Sequence, residues 1–193
     1  MATVNILPNA DVSNSPAWTL STGSDVYALL DDDHTGTPTV DGSQIQATAD
    51  GKICDIGFQS LADVGVDSGD IDTIDSVQGV IKANNYDRGQ SYELRMSIIK
   101  GSDGSDHWGE ESTGSVGATN SWDTHTFTQR DGYDSGHASS GLSGSQIDNI
   151  QMEIKLVALT AGGTMRVTYA YFIVTYTAVV TVTDNATFFG ANL

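Results

Sequence analysis

The sequence predicts an all-β protein: an antiparallel β-sandwich of jelly-roll type with an extended C-terminal strand or arm. Three observations carry that expectation. The first is the run Thr164-Met-Arg-Val-Thr-Tyr-Ala-Tyr-Phe-Ile-Val-Thr-Tyr-Thr177, in which β-branched and aromatic residues fill most positions and no Gly, Pro, Asn or Asp interrupts. A strand of that length spans ~45 Å, enough to cross a whole domain. The second is period: many windows alternate apolar and polar residues, whereas none of 11–18 residues repeats apolar positions at helical spacing. The third is punctuation, because clusters of Gly, Asp, Asn and Ser separate the alternating runs and supply turn chemistry.

Taken in order, Asp25-Val-Tyr-Ala-Leu-Leu-Asp31 reads as a strand entering the Asp31-Asp-Asp33 turn. Ser43–Thr48 and Lys52–Gln59 read as two strands joined by Ala49-Asp-Gly51, an Asp-Gly turn. Ser76–Ala83 and Ser91–Lys100 read as a hairpin closed by Asn84-Asn-Tyr-Asp-Arg-Gly89. In its second arm Tyr92, Leu94, Met96 and Ile98 share a face. Residues 101–121 are rich in Gly, Ser, Thr, Asp and Glu around His107-Trp108, long for a connection and expected to be a functional or irregular loop. Trp122–Thr128 resumes as a strand with Asp123, His125 and Phe127 on one face, and Asp131–Ser145 is a Gly/Ser connection. Ile150–Ala158 places Ile150, Met152, Ile154 and Leu156 inward, and Thr160-Ala-Gly-Gly163 turns the chain into the long run. Eight to ten strands result, with residues 1–177 as the sandwich and 178–193 as a C-terminal strand or arm.

Composition narrows the function. Asp and Glu total 25 against 8 Lys and Arg, a formal charge of −17, which opposes nucleic acid and anionic membrane as partners. Only four acids are Glu (93, 110, 111 and 153), so 25 − 4 = 21 are Asp, mostly in turn-rich connections where solubility and turn chemistry explain them. Cys54 is the single cysteine; it sits in an apolar strand and reads as a small buried hydrophobe, with no disulfide or thiolate zinc cluster to form. No basic and apolar leader opens the sequence, and no run approaches the ~20 apolar residues of a membrane helix.

Catalytic signatures are weak. The histidines (34, 107, 125 and 137) lack zinc-site spacing, and no nucleophile elbow or phosphate-binding loop is present. Glu93 and Glu153, at polar positions mid-strand, read as solvent-facing or paired with Arg95, Lys155 or Arg166 rather than as glycosidase acids. The strongest metal candidate is the stretch Asp63, Asp67, Asp70, Asp72 and Asp75, oxygen-rich and Gly-interleaved as calcium prefers, yet without the EF-hand pattern. Trp108, with His107 beside it and Tyr133 further on, is the candidate ligand contact, because a Trp in a polar loop has little structural reason to be there. Trp18 and Trp122 read as core or edge anchors.

Several segments together resemble jelly-roll structural proteins of tailed, especially marine, bacteriophages. These are Asn5-Ile-Leu-Pro-Asn-Ala-Asp11 ahead of a Trp, Tyr-Ala-Leu-Leu-Asp-Asp (27–32), Trp-Asp-Thr (122–124), Leu-Ser-Gly-Ser-Gln-Ile-Asp-Asn-Ile-Gln (142–151) and Tyr-Phe-Ile-Val-Thr-Tyr (171–176). The resemblance implies a non-enzymatic virion component, such as a capsid decoration, head-fibre or tail-associated protein, that works as a homo-oligomer or by docking on other capsid or tail proteins. It brings no catalytic residues. The arm, with Val179, Val180, Val182, Phe188 and Phe189, is the expected assembly contact, since burying each large side chain on a neighbour contributes about 1.5–3 kcal/mol. The alternative is a carbohydrate-binding or host-adhesion module that uses the Trp-containing acidic loop.

Overall fold

The computed structural model describes residues 1–15, 17–31, 43–85, 91–100, 106–117, 122–128 and 143–180. Twelve strands form among them: β1 (Ala2–Ile6), β2 (Pro8–Ser13), β3 (Thr19–Leu20), β4 (Ile45–Ala47), β5 (Ile53–Phe58), β6 (Ile71–Asn85), β7 (Ser91–Lys100), β8 (Asp106–Ser112), β9 (Val116–Gly117), β10 (Asp123–Thr128), β11 (Ile150–Leu159) and β12 (Met165–Ala178). They build two six-stranded antiparallel sheets. The first runs β10-β6-β12-β4-β3, with β1 also on β12; the second runs β2-β5-β11-β7-β8, with β9 also on β7. This is the expected all-β sandwich, and the long run near the C-terminus is its central strand. One edge of β12 pairs with β6 along its length, while the other takes β4 at one end and β1 at the other.

The interior is filled by the alternating residues. Tyr92, Leu94, Met96 and Ile98 of β7 and Ile150, Met152, Ile154 and Leu156 of β11 are all buried in one cluster with Val167, Phe172 and Val174 of β12. Phe58 and Phe172 meet across the sheets with ring centroids 4.6 Å apart. Trp18 is buried, as a core anchor is, and so is Cys54, whose thiol pKa is raised well above its ordinary value by burial and then by the negative charge of Asp55.

Several connections differ from expectation for one reason. Period-2 alternation says which residues face inward but not which sheet a strand joins. Ala49-Asp-Gly51 does turn, with Gly51 at φ +75°, yet it carries the chain from β4 in the first sheet to β5 in the second. The strands at 71–85 and 91–100 likewise lie in opposite sheets, so they are not the two arms of a hairpin. The turn at 160–163 links β11 to β12 across the sandwich. The first strand makes the same crossing at Leu7: its N–H donates to Gln59 Oε1 at 3.1 Å and its carbonyl accepts from Gln59 N–H at 2.9 Å. Pro8 then opens β2, an edge strand where its missing N–H is tolerated.

Residues 25–31 form a single 3₁₀ turn, Tyr27–Leu29, followed by an isolated bridge from Asp31 to Tyr169, and not the predicted strand. The cause is Asp11, whose carboxylate accepts from the N–H groups of Val26 at 2.8 Å and Tyr27 at 2.7 Å, while Val26, Leu29 and Leu30 drop into the core. A short helix, Gly144–Ile147, opens with a Ser143/Gln146 capping box, a Ser-x-x-Gln signal present in the sequence but read there as connection. Its Gly144 packs directly on Ser68, the start of a 3₁₀ turn leading into β6.

Candidate binding cleft at the sheet edges

Two strands expose one edge to the same side of the sandwich: β10 ends the first sheet and β8 the second. On β10, alternation turns Phe127 and His125 toward the interior, and Phe127 is buried. His125 Nε2 lies 2.8 Å from the hydroxyl of Tyr92 on β7, and the two rings meet edge to face at 80° with centroids 5.9 Å apart. That contact ties the sheets together at their open side. Burial lowers the His125 pKa against a smaller opposing effect of Asp123, and burial pushes the Tyr92 phenol up. Burial thus favours the neutral form of both groups.

Outside this contact the edges enclose a cleft of about 290 Å³. Glu111, Ser112 and Thr113 form one wall, and Thr124, His125 and Thr126, with Phe127, form the other. The loop expected over 101–121 thus contains the edge strand β8 and the short strand β9, because β7 offers a free ladder that polar residues can occupy as well as apolar ones. In β8, Gly109 pairs with Ile98 and His107 with Ile99, which leaves Trp108 as the extra residue of a bulge. Bulges on edge strands redirect the chain and are frequent beside functional sites. Trp108 and His107 are placed by their backbone on the strand whose other end lines the cleft, while Tyr133 lies outside the described residues.

The other candidate groups are used locally. Glu93 accepts from Ser112 Oγ at 2.6 Å and Glu153 from Ser97 Oγ at 3.3 Å, while Arg95 pairs with Glu110 at 2.9 Å instead of with either. Asp63 accepts from the N–H and hydroxyl of Ser60, which in that order lower its pKa. Asp67 caps a 3₁₀ turn through Gly69 N–H at 2.8 Å, and Asp75 accepts from Thr177 Oγ1 at 2.9 Å. Asp70 closes that same turn, with its carbonyl accepting from Val179 N–H, and Asp72 lies on β6. Among the described residues no three Asp, Glu, His or Cys converge as a metal-holding group. A second hollow of about 380 Å³ lies between these turns and the short helix, and its carboxylates, Asp67 and Asp148, each have one oxygen held by a backbone N–H.

Of the expected assembly contacts, Val179 is 46% and Val180 81% exposed just beyond β12, and Val182, Phe188 and Phe189 lie outside the described residues. No described helix is long and apolar enough to cross a membrane. The cleft residues Glu111, Ser112, Thr113, Thr124 and Thr126 had no local motif to announce them, since the site exists only where two edges meet.

No family model matches the chain, and no curated protein does. Among solved structures it is similar to the family 30 carbohydrate-binding module of a cellulosomal cellulase of Clostridium thermocellum, at 11% identity and a TM-score of 0.45 over 89% of this chain and 97% of that one. It is also similar to the CBM32 of AlyQ in complex with 4,5-unsaturated mannuronic acid, at 13% identity and a TM-score of 0.38, covering 85% and 98%. A third is the CBM36-1 domain of a multidomain xylanase from the hindgut metagenome of Trinervitermes trinervoides, at 8% identity and a TM-score of 0.35, covering 92% and 100%. Likenesses of that size decide nothing about ligand, and the fold assignment rests on the two sheets themselves.

Proposed function

We propose that this chain is a non-enzymatic binding module that holds an uncharged carbohydrate in the cleft between β8 and β10. The observation that carries this reading is the lining of the cleft: four hydroxyl side chains, a carboxylate and an imidazole around about 290 Å³. Sugar hydroxyls both donate to and accept from such convergent polar groups. Among the described residues the lining includes no Lys or Arg, which offers no counter-charge to an anionic ligand in a chain of formal charge −17. The imidazole is held inward by Tyr92, which suits a fixed wall better than a mobile acid or base. No cofactor enters this reading.

Affinity electrophoresis through gels containing neutral polysaccharides tests it. The native chain is expected to be retarded by at least one of them, and Glu111→Ala and Trp108→Ala to weaken that retardation. Unretarded migration through every neutral polymer overturns the proposal.

A second reading, a structural component of a phage particle acting through subunit contacts, is favoured by the exposure of Val179 and Val180 where β12 leaves the sandwich. Removing residues 179–193 and measuring the sedimentation coefficient tests it. An unchanged oligomeric state counts against the arm as an assembly element.

A further inference from the structure

We propose that the cleft is one end of a longer strip, and that its ligand is a chain of linked sugar rings rather than a single terminal residue. The inference rests on the carbohydrate reading of the cleft and deepens it. Thr124 and Thr126 belong to an edge strand, so they line the cleft and also alternate onto the outer face of the first sheet. Register then sets two rows across that face, Thr124–Lys82–Tyr169 and Thr126–Val80–Tyr171. Tyr169 OH lies 3.2 Å from Thr124 Oγ1, which joins the cleft wall to the aromatic row. The rings of Tyr169 and Tyr171 are 5.7 Å apart at 41°, and Lys82 Nζ stands 5.5 Å from the centre of the Tyr169 ring.

Tyr169 and Val80 are buried although neither belongs to the main core, whereas Tyr171 and Lys82 remain partly exposed. The face thus offers an aromatic ring, an ammonium donor and two hydroxyls in one line with the cleft. An aromatic ring packs against the C–H face of a sugar while flanking donors and acceptors meet its hydroxyls. Tyr171 lies two strand spacings, about 10 Å, from Thr126. Linked rings bridge that gap, and one ring seated in the cleft does not.

The test is isothermal titration of the full chain with cello-, xylo- and manno-oligosaccharides of two and of six units. Six-unit ligands are expected to bind about tenfold more tightly than two-unit ones, the gain of one added stacking contact. Tyr171→Ala is expected to remove that gain and leave two-unit binding unchanged, while Tyr171→Phe, which keeps the ring, retains it. Equal affinity at both lengths, or a six-unit advantage that survives in Tyr171→Ala, overturns the strip and leaves the cleft standing. Binding at neither length removes both.

Discussion

Replacing Gly144 with alanine sets a methyl carbon 2.9 Å from Ser68 Cβ, 3.0 Å from Ser68 O and 3.1 Å from Ser68 Cα. Two of those three are main-chain atoms of the turn that feeds β6, so no rotamer change relieves the crowding. Gly79, on β6 inside the sandwich, makes a useful control. A methyl there meets Met96 Cε at 2.6 Å, Met96 Sδ at 3.0 Å and Met152 Cε at 3.3 Å, all ends of flexible side chains. Overpacking costs about 1–3 kcal/mol, and Gly144→Ala belongs near the top of that range because the backbone must shift. Alanine's better helical preference returns at most about 1 kcal/mol. For Gly79→Ala the methionines yield, and the gain of alanine over glycine in a strand, about 0.5–1 kcal/mol, offsets much of the cost. In a domain of this size 1 kcal/mol moves Tm by about 2–4 °C, so Gly144→Ala is expected to fall by roughly 4–8 °C and Gly79→Ala by about half that or less. Urea unfolding of both variants, with slopes unchanged, measures the difference. A Gly79→Ala protein less stable than Gly144→Ala would show that the reasoning from contact atoms fails.

Three further outcomes are expected. Asp11→Ala removes the acceptor for the N–H groups of Val26 and Tyr27 at the start of the 27–29 turn and should cost about 1 kcal/mol, read as a shifted urea midpoint. His125 has a folded pKa below its ordinary 6.5, so between the two values the unfolded chain binds more protons, and stability falls as pH drops through about 6.5. His125→Gln should flatten that fall in thermal melts between pH 7 and pH 5, and an unchanged slope would assign it to other groups. Cys54, buried with its thiolate disfavoured, should resist a thiol reagent in the native protein and react at once in denaturant.

Strand interiors were legible because their residues announce an orientation: the expected inward residues of β7 (Tyr92, Leu94, Met96 and Ile98) and β11 (Ile150, Met152, Ile154 and Leu156) are all buried. Sheet membership was not, since an Asp-Gly turn at 50–51 serves a crossing between sheets as readily as a hairpin. Polar strands were missed where pairing comes from a neighbour's free edge, as in β8, whose Gly, Glu and Ser carry little strand preference. The acidic stretch from Asp63 to Asp75 misled differently: closeness along the chain suggested a shared shell, but local hydrogen bonds to Ser60 and Gly69 and a cross-strand one from Thr177 disperse the carboxylates. For the cleft, His125 and Phe127 were correctly set on one face, but the opposite wall, Glu111–Thr113, comes from a strand the composition hid.

The position of β12 in the middle of the first sheet governs when this molecule can mature. Its partners β1, β4 and β6 are made long before it, and during synthesis each has an unsatisfied ladder waiting for residues 165–178 to leave the ribosome. Half of the sandwich therefore closes only once β12 has emerged, with the slow, non-local closure typical of such topologies. An acidic chain of formal charge −17, whose nascent molecules repel one another, is well suited to survive that wait.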